Sequence, residues 1–137
     1  MSGDKATRER LLESAKKEFL EKGYMKASLR TICKNAGVTT GALYFFFDGK
    51  EDLLKELVEE PLKGLLDLIR RHFTEEMERG IGVVSLDMDR QDIDAAREVV
   101  RFLYRHYDVF LLLLTRSQGS EYEDMVNRFA DYGEEHY

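Results

Sequence analysis

The stretch Ser28-Leu29-Arg30-Thr31-Ile32-Cys33-Lys34-Asn35-Ala36-Gly37-Val38-Thr39-Thr40-Gly41-Ala42-Leu43-Tyr44-Phe45-Phe46-Phe47 constrains this chain more than any other. Ser28 is suited to an N-cap, because its hydroxyl can accept from a backbone N–H that the first helical turn leaves unpaired. Ile32 and Ala36 follow as an apolar pair at i, i+4. Gly37 can take the positive φ of a C-terminal cap without a Cβ penalty, so it ends that helix; Val38 then plugs the corner and Thr39 caps a second helix. Two short helices around a tight turn make a helix-turn-helix. Such a turn aims the N-terminus of the second helix outward, where Thr39, Thr40 and Ala42 can meet base edges in a DNA major groove. Packing alone also produces glycine turns between short helices, so the flanking residues carry the decision.

Upstream, Leu11, Leu12, Ala15 and Phe19 form a helical stripe that stops at Gly23-Tyr24. Downstream, Asp48-Gly49-Lys50-Glu51 reads as a capping box that opens a long helix. These signals predict a first helix from Lys5 or Ala6 to Lys22 behind a mobile arm, a second from Leu29 to Ala36 and a third from Thr40 to Phe47. Leu43 and Phe47, four apart, should face the core, leaving Thr40, Tyr44 and part of Phe45 or Phe46 toward solvent or DNA. The run Leu12, Ala15, Phe19, Gly23-Tyr24, Ser28, Ile32, Ala36-Gly37-Val38, Gly41, Leu43-Tyr44, Phe47, Lys50-Glu51 and Leu53 resembles the DNA-binding domain of the TetR family of transcriptional regulators. Many positions at fixed spacing carry the likeness, over roughly the first 55 residues.

The resemblance implies a set of DNA contacts. Lys5 and Arg8 at the start of the first helix, Ser28 and Arg30 at the start of the second, Tyr44, and Lys50 would reach phosphates or a neighbouring base, while Thr40 and Ala42 approach base edges. Phe46 departs from the family pattern, in which Tyr or His is common. A phenyl ring cannot donate to a phosphate, so a backbone contact there would be either missing or replaced by contact with a sugar or a thymine methyl. Phe45 and Phe46 are therefore counted with the DNA-facing residues. The resemblance further implies a symmetric dimer on a near-palindromic operator, a small-molecule effector that releases the DNA, and a connecting helix that transmits the movement.

Charge agrees with two faces of different purpose. Residues 1–50 hold ten Lys/Arg and six Asp/Glu, a net of +4; residues 51–137 hold eleven and twenty-one, a net of −10, within an overall −6. A basic head on an acidic body is the footprint expected when only the head approaches phosphates. The single proline, the absence of tryptophan and glycines placed between periodic segments predict an all-α chain. It divides into a head of residues 1–50 and a helical regulatory body of residues 51–137. Cys33 is the only cysteine, so no intrachain disulfide can form and a reducing cytoplasm is expected. Cys33 itself reads as a small packed residue. No run is apolar enough to span a bilayer.

In the body, Leu53, Leu54, Leu57, Val58, Leu62, Leu65, Leu66, Leu68, Ile69 and Phe73 predict a long fourth helix, which Pro61 should kink or divide. Gly80-Ile81-Gly82 breaks the pattern and residues 83–89 read as a loop. A helix over Ile93–His106 follows, then a buried one through Val109–Leu114, a loop at Arg116–Ser120, and a last helix capped by Ser120-Glu121-Tyr122-Glu123 that runs through Met125, Val126, Phe129 and Tyr132. The family has two further helices, which nothing here matches, so the chain is expected to be either truncated, with its body incomplete, or an unusually short member. Phe73, Met77, Phe102, Tyr104, Tyr107, Phe110 and Met125 supply the adaptable and aromatic side chains for an apolar effector pocket. His72, His106 and His136 are far apart, with no metal-binding pair and no nucleophile or phosphate motif, so neither an enzyme, a metal nor a cofactor is expected. The competing reading is a helical ligand-binding or protein-interaction module that does not read DNA.

Overall fold

Helices dominate the described residues, 2–78, 90–125 and 127 of the computed structural model, and no strand occurs among them. In chain order they are α1 (Ser2–Lys22), α2 (Leu29–Ala36), α3 (Thr40–Phe46), α4 (Lys50–Glu78), α5 (Arg90–Arg105) and α6 (Tyr107–Thr115). α1 starts earlier than the sequence pattern suggested: the expected arm is helical from Ser2, with Asp4 in the first turn, where a negative charge suits the helix dipole, and with Thr7 Oγ1 donating to the Gly3 carbonyl at 2.8 Å. Residues 79–89 and 128–137, with the loop and the end of the last helix expected there, lie outside the described residues.

Backbone contacts divide the chain into two compact units, one joining the residues up to Val58 to those from Asp108 onward, the other running from Glu59 to Tyr107. The boundary crosses α4. Pro61 sits inside that helix without dividing it, since α4 is continuous from Lys50 to Glu78. The missing proline N–H leaves the Leu57 carbonyl without its helical donor one turn earlier, close to where the units part.

The first unit is organised on a buried stripe of α1, with Leu11, Ala15 and Phe19 fully buried, and on Ile32, Leu43, Leu53, Leu54, Val58 and Leu112. Two polar side chains share the stripe. Ser14 Oγ donates to the Ile32 carbonyl at 2.8 Å, and Glu18, 3% exposed, accepts the Ser28 N–H at 2.9 Å and pairs with Lys22 at 3.1 Å. A buried carboxylate is tolerable only with such partners, and these two fasten the start of α2 to α1.

α6 returns to this unit with Phe110, Leu112 and Leu113 buried, while Leu111 and Leu114 are exposed. Beyond it the Tyr24 N–H donates to the Arg116 carbonyl at 2.9 Å, and Gly119 lies so close to the Met25 side chain that a Cβ has no room. The expected cap follows: Ser120 Oγ accepts from the Tyr122 N–H at 3.2 Å, and Glu123 accepts from the Gly119 N–H at 3.1 Å.

In the second unit α4 and α5 approach closely at Gly64, where a Cβ would stand 2.6 Å from Phe102 Cζ. Phe102 also meets the His106 ring at 4.8 Å, and His72 Nε2 lies 3.2 Å from Glu98 Oε2.

Candidate nucleic-acid interface

The turn between α2 and α3 is built as its residue order implies. Ser28, in extended backbone, accepts the Thr31 N–H at 3.3 Å. At the other end Gly37 adopts φ 71° and ψ 33°, its N–H reaches the Lys34 carbonyl at 3.2 Å, and the Val38 N–H reaches the Cys33 carbonyl at 3.0 Å. These paired bonds are the Schellman closure, which reverses the chain within two residues. Thr39 then caps α3, accepting the Ala42 N–H at 3.1 Å.

What this turn presents is decided by two anchors. Leu43 is fully buried and Phe47 is 2% exposed, so α3 is pinned by one face and its opposite face points outward. Thr39, Thr40, Gly41, Tyr44 and Phe45 are exposed, Ala42 and Phe46 half-buried; Phe45 reaches 77% and Tyr44 57%. The four-aromatic run therefore divides between core and surface. Phe47 goes inward, Phe46 lies between, and Phe45 stands against Phe46 edge-to-face, with centroids 5.0 Å apart and planes at 85°. Arg30 and Lys34 are exposed along α2, Ser28 is half-buried at its cap, and Lys5 is exposed on α1.

Two of the cations expected at phosphates already have partners. Arg8 pairs with Glu56, and its guanidinium lies over the Phe47 ring, 5.5 Å from the centroid, which ties α1 to α4. Lys50 Nζ donates to the Met25 and Ala27 carbonyls at 3.1 and 3.3 Å and lies 4.8 Å from the Tyr24 ring centroid. It holds the α1–α2 loop, and one of its three ammonium protons is left over from those two bonds. The expected box at the start of α4 also differs. Asp48 contributes its backbone N–H, which donates at 3.0 Å to the Asp52 carboxylate, so the capping side chain is Asp52.

Burial pushes the Tyr24 hydroxyl above its ordinary pKa, with the Glu51 and Glu121 charges adding to the effect. Burial alone pushes the Cys33 thiol up, which agrees with a packed role.

Residues 11–57 match the model of the bacterial regulatory proteins of the tetR family. Over these residues the chain is similar to the DNA-binding domain of the TetR family. It is 31% identical over 86 residues to the HTH-type transcriptional regulator UidR of Escherichia coli K12, covering 55% of this chain and 41% of UidR. The probable acrEF/envCD operon repressor of the same strain is 37% identical over 73 residues, covering 53% of this chain and 32% of that protein. The chain thus spans less than half the length of these curated relatives. Among solved structures, a transcriptional regulator from Aquifex aeolicus VF5 superposes with TM-score 0.64 at 28% identity, covering 91% of this chain and 65% of that one. NalD of Pseudomonas aeruginosa shares the fold, with TM-score 0.59 at 24% identity, 96% of this chain and 62% of NalD.

The side chains expected to line an effector pocket fall in both units. Phe102, Tyr104 and Tyr107 belong to the second; Tyr104 and Tyr107 are both well exposed, with ring centroids 6.4 Å apart. Phe110 is buried in the first unit and Met125 half-buried there. The side chains of Phe73 and Met77 lie outside the described residues. A shallow groove of about 440 Å³ runs along α5 between Ile93, Ala96, Arg97, Val100 and Arg101, none of which was singled out for a pocket. No group of three His, Cys, Asp or Glu able to hold a metal occurs among the described residues, and no helix there is long and apolar enough to cross a membrane.

The residues missed by sequence reasoning are Ser14 and Glu18, which position the interface without facing it. Their signal was available: each occupies a core position of the Leu11, Ala15, Phe19 stripe, where a polar side chain requires a buried partner.

Proposed function

We propose that this chain is a DNA-binding transcriptional regulator of the TetR family, a repressor released from its operator by a small-molecule effector. One observation carries the reading: a seven-residue α3, pinned by Leu43 and Phe47 behind a Schellman turn, with its uncharged outer face exposed and flanked by the cations of a net-positive head. Thr39, Thr40, Ala42, Phe45 and Phe46 face the bases; Ser28, Arg30, Tyr44 and Lys5 serve the backbone, with Lys50 contributing its remaining proton and Arg8 acting through its pairing with Glu56. Repression is supported by the printed names of relatives, among them the acrEF/envCD operon repressor and the Brucella suis repressor BepR.

Selection of duplexes from random DNA tests this directly. The expected product is a near-palindrome with half-sites one helical turn apart, bound with a steep salt dependence, because one α3 spans few base pairs and a two-fold dimer doubles the contacts. Thr40→Ala should shift the preferred sequence. An equal loss on every duplex would count against base readout. The effector half is tested by a thermal-shift screen of apolar compounds followed by DNA competition, where stabilising ligands that leave operator affinity unchanged would remove it.

A further inference from the structure

The outer face of α3 carries no group able to recognise a purine by paired hydrogen bonds. Over Thr39–Phe46 the side chains are three hydroxyls, a methyl, two phenyl rings, the buried Leu43 and a glycine. Guanine is read by Arg or Lys and adenine by Asn or Gln through bidentate contacts, and none of the four residue types is present. Hydroxyls donate and accept alike, so the base preference that Thr39, Thr40 and Tyr44 add is weaker than that of a bidentate pair. What remains to discriminate is apolar surface, and in the major groove the one apolar feature that differs between bases is the thymine 5-methyl group.

The structure places that surface where it can be used. With Leu43 facing the core, Gly41 and Phe45 lie near the opposite meridian of the helix, four residues apart. A Cβ on Gly41 would meet only Thr39 Oγ1, at 3.8 Å, so the glycine leaves the backbone uncovered there and able to come close to a base edge. The ring does not dangle: it stands edge-to-face on Phe46, which is 6.5 Å from Phe47, itself anchored in the core. A ring braced in this way loses little freedom on docking. Cations on the neighbouring helix, Arg30 and Lys34, are exposed and give the face its electrostatic complement to DNA.

We propose that Phe45 is the principal specificity-determining residue and that it reads thymine methyl groups, so that each half-site carries thymine at the positions apposed to it. This rests on the DNA-binding reading above. The experiment uses the full chain and the duplex enriched from random DNA, with single thymines replaced by deoxyuridine, which removes the methyl and leaves the hydrogen-bonding edge intact. One or two positions per half-site should lose roughly fourfold in affinity per methyl, the worth of one buried methyl-sized group. Phe45→Ala should abolish the difference between thymine and deoxyuridine at those positions, while Phe45→Leu, still apolar, keeps part of it; unchanged circular dichroism is expected of both because the ring is exposed. An enriched duplex bound equally well with deoxyuridine at every position overturns the inference alone, as does a thymine preference that survives in Phe45→Ala. Failure to enrich any duplex overturns the DNA-binding reading together with it.

Discussion

Replacing Gly37 by alanine isolates the conformational demand of the turn from everything around it. Gly37 has φ 71°, and a Cβ built there meets nothing within 4 Å, so the substitution adds no collision with the rest of the protein. The left-handed conformation itself costs an L-residue about 1–2 kcal/mol, and the stiffer unfolded chain returns about 0.4–1 kcal/mol. The net expectation is a loss of about 1 kcal/mol, or a fall in Tm of about 3–5 °C for a chain of this size. Gly41 supplies the internal control, since its φ is not positive and its Cβ would meet only Thr39 Oγ1 at 3.8 Å. Gly41→Ala should therefore stabilise by up to about 1 kcal/mol as alanine replaces glycine in a helix. Urea unfolding followed by circular dichroism, with m unchanged, measures both. Asparagine at position 37 should lose less than alanine, because it tolerates the left-handed region. If Gly37→Ala were as stable as the parent, or if the two alanine variants shifted in the same direction, the argument that the turn needs glycine at position 37 for its left-handed conformation would be refuted.

Lys50→Met keeps the aliphatic stem and removes the bonds to the Met25 and Ala27 carbonyls; we expect a loss of about 1–3 kcal/mol and a DNA salt slope shallower by about 0.9, read from urea melts and binding isotherms. Glu18→Ala should cost about 1–3 kcal/mol by orphaning the Ser28 N–H, and Glu18→Gln less, because an amide oxygen can still accept that bond at 2.9 Å; equal losses would show that the charge on Lys22 matters more than the backbone bond. Folding favours the protonated Cys33 thiol, whose pKa burial raises above the ordinary 9.0, so its contribution is complete below that value and declines as pH rises through the raised one. Urea melts between neutral pH and pH 10 should accordingly show Cys33→Ala losing less stability at the alkaline end than the parent.

The turn was legible because its chemistry is local. Ser28, Gly37 and Thr39 each answer a demand set by neighbouring backbone groups, and the bounds of α2 follow from them. Arg8 and Lys50 were harder to place, because a cation's partner depends on which distant residue the fold brings near, here Glu56 and the carbonyls of the α1–α2 loop. Of the two outcomes expected at Pro61, division does not occur: proline removes one hydrogen bond and crowds one carbonyl, which the rest of α4 outweighs, so the helix continues. The effector residues were chosen for chemistry at helical spacing. Periodicity cannot separate Phe110, which is buried, from Tyr104, which is exposed, because both satisfy the same spacing on different helices.

The return of residues 108–122 to the first unit orders its assembly in time. α1, α2 and α3 are near neighbours in sequence, so the turn and its outward face can form as soon as about fifty residues have left the ribosome, through short loops that close quickly. The Tyr24 N–H, however, receives its acceptor only when Arg116 has been made. At about 5–20 residues per second that is a wait of several seconds, during which the α1–α2 loop is solvated where Met25 will later meet Gly119. Synthesis thus delivers the face early and seals its support late, with the whole of the second unit emerging in between.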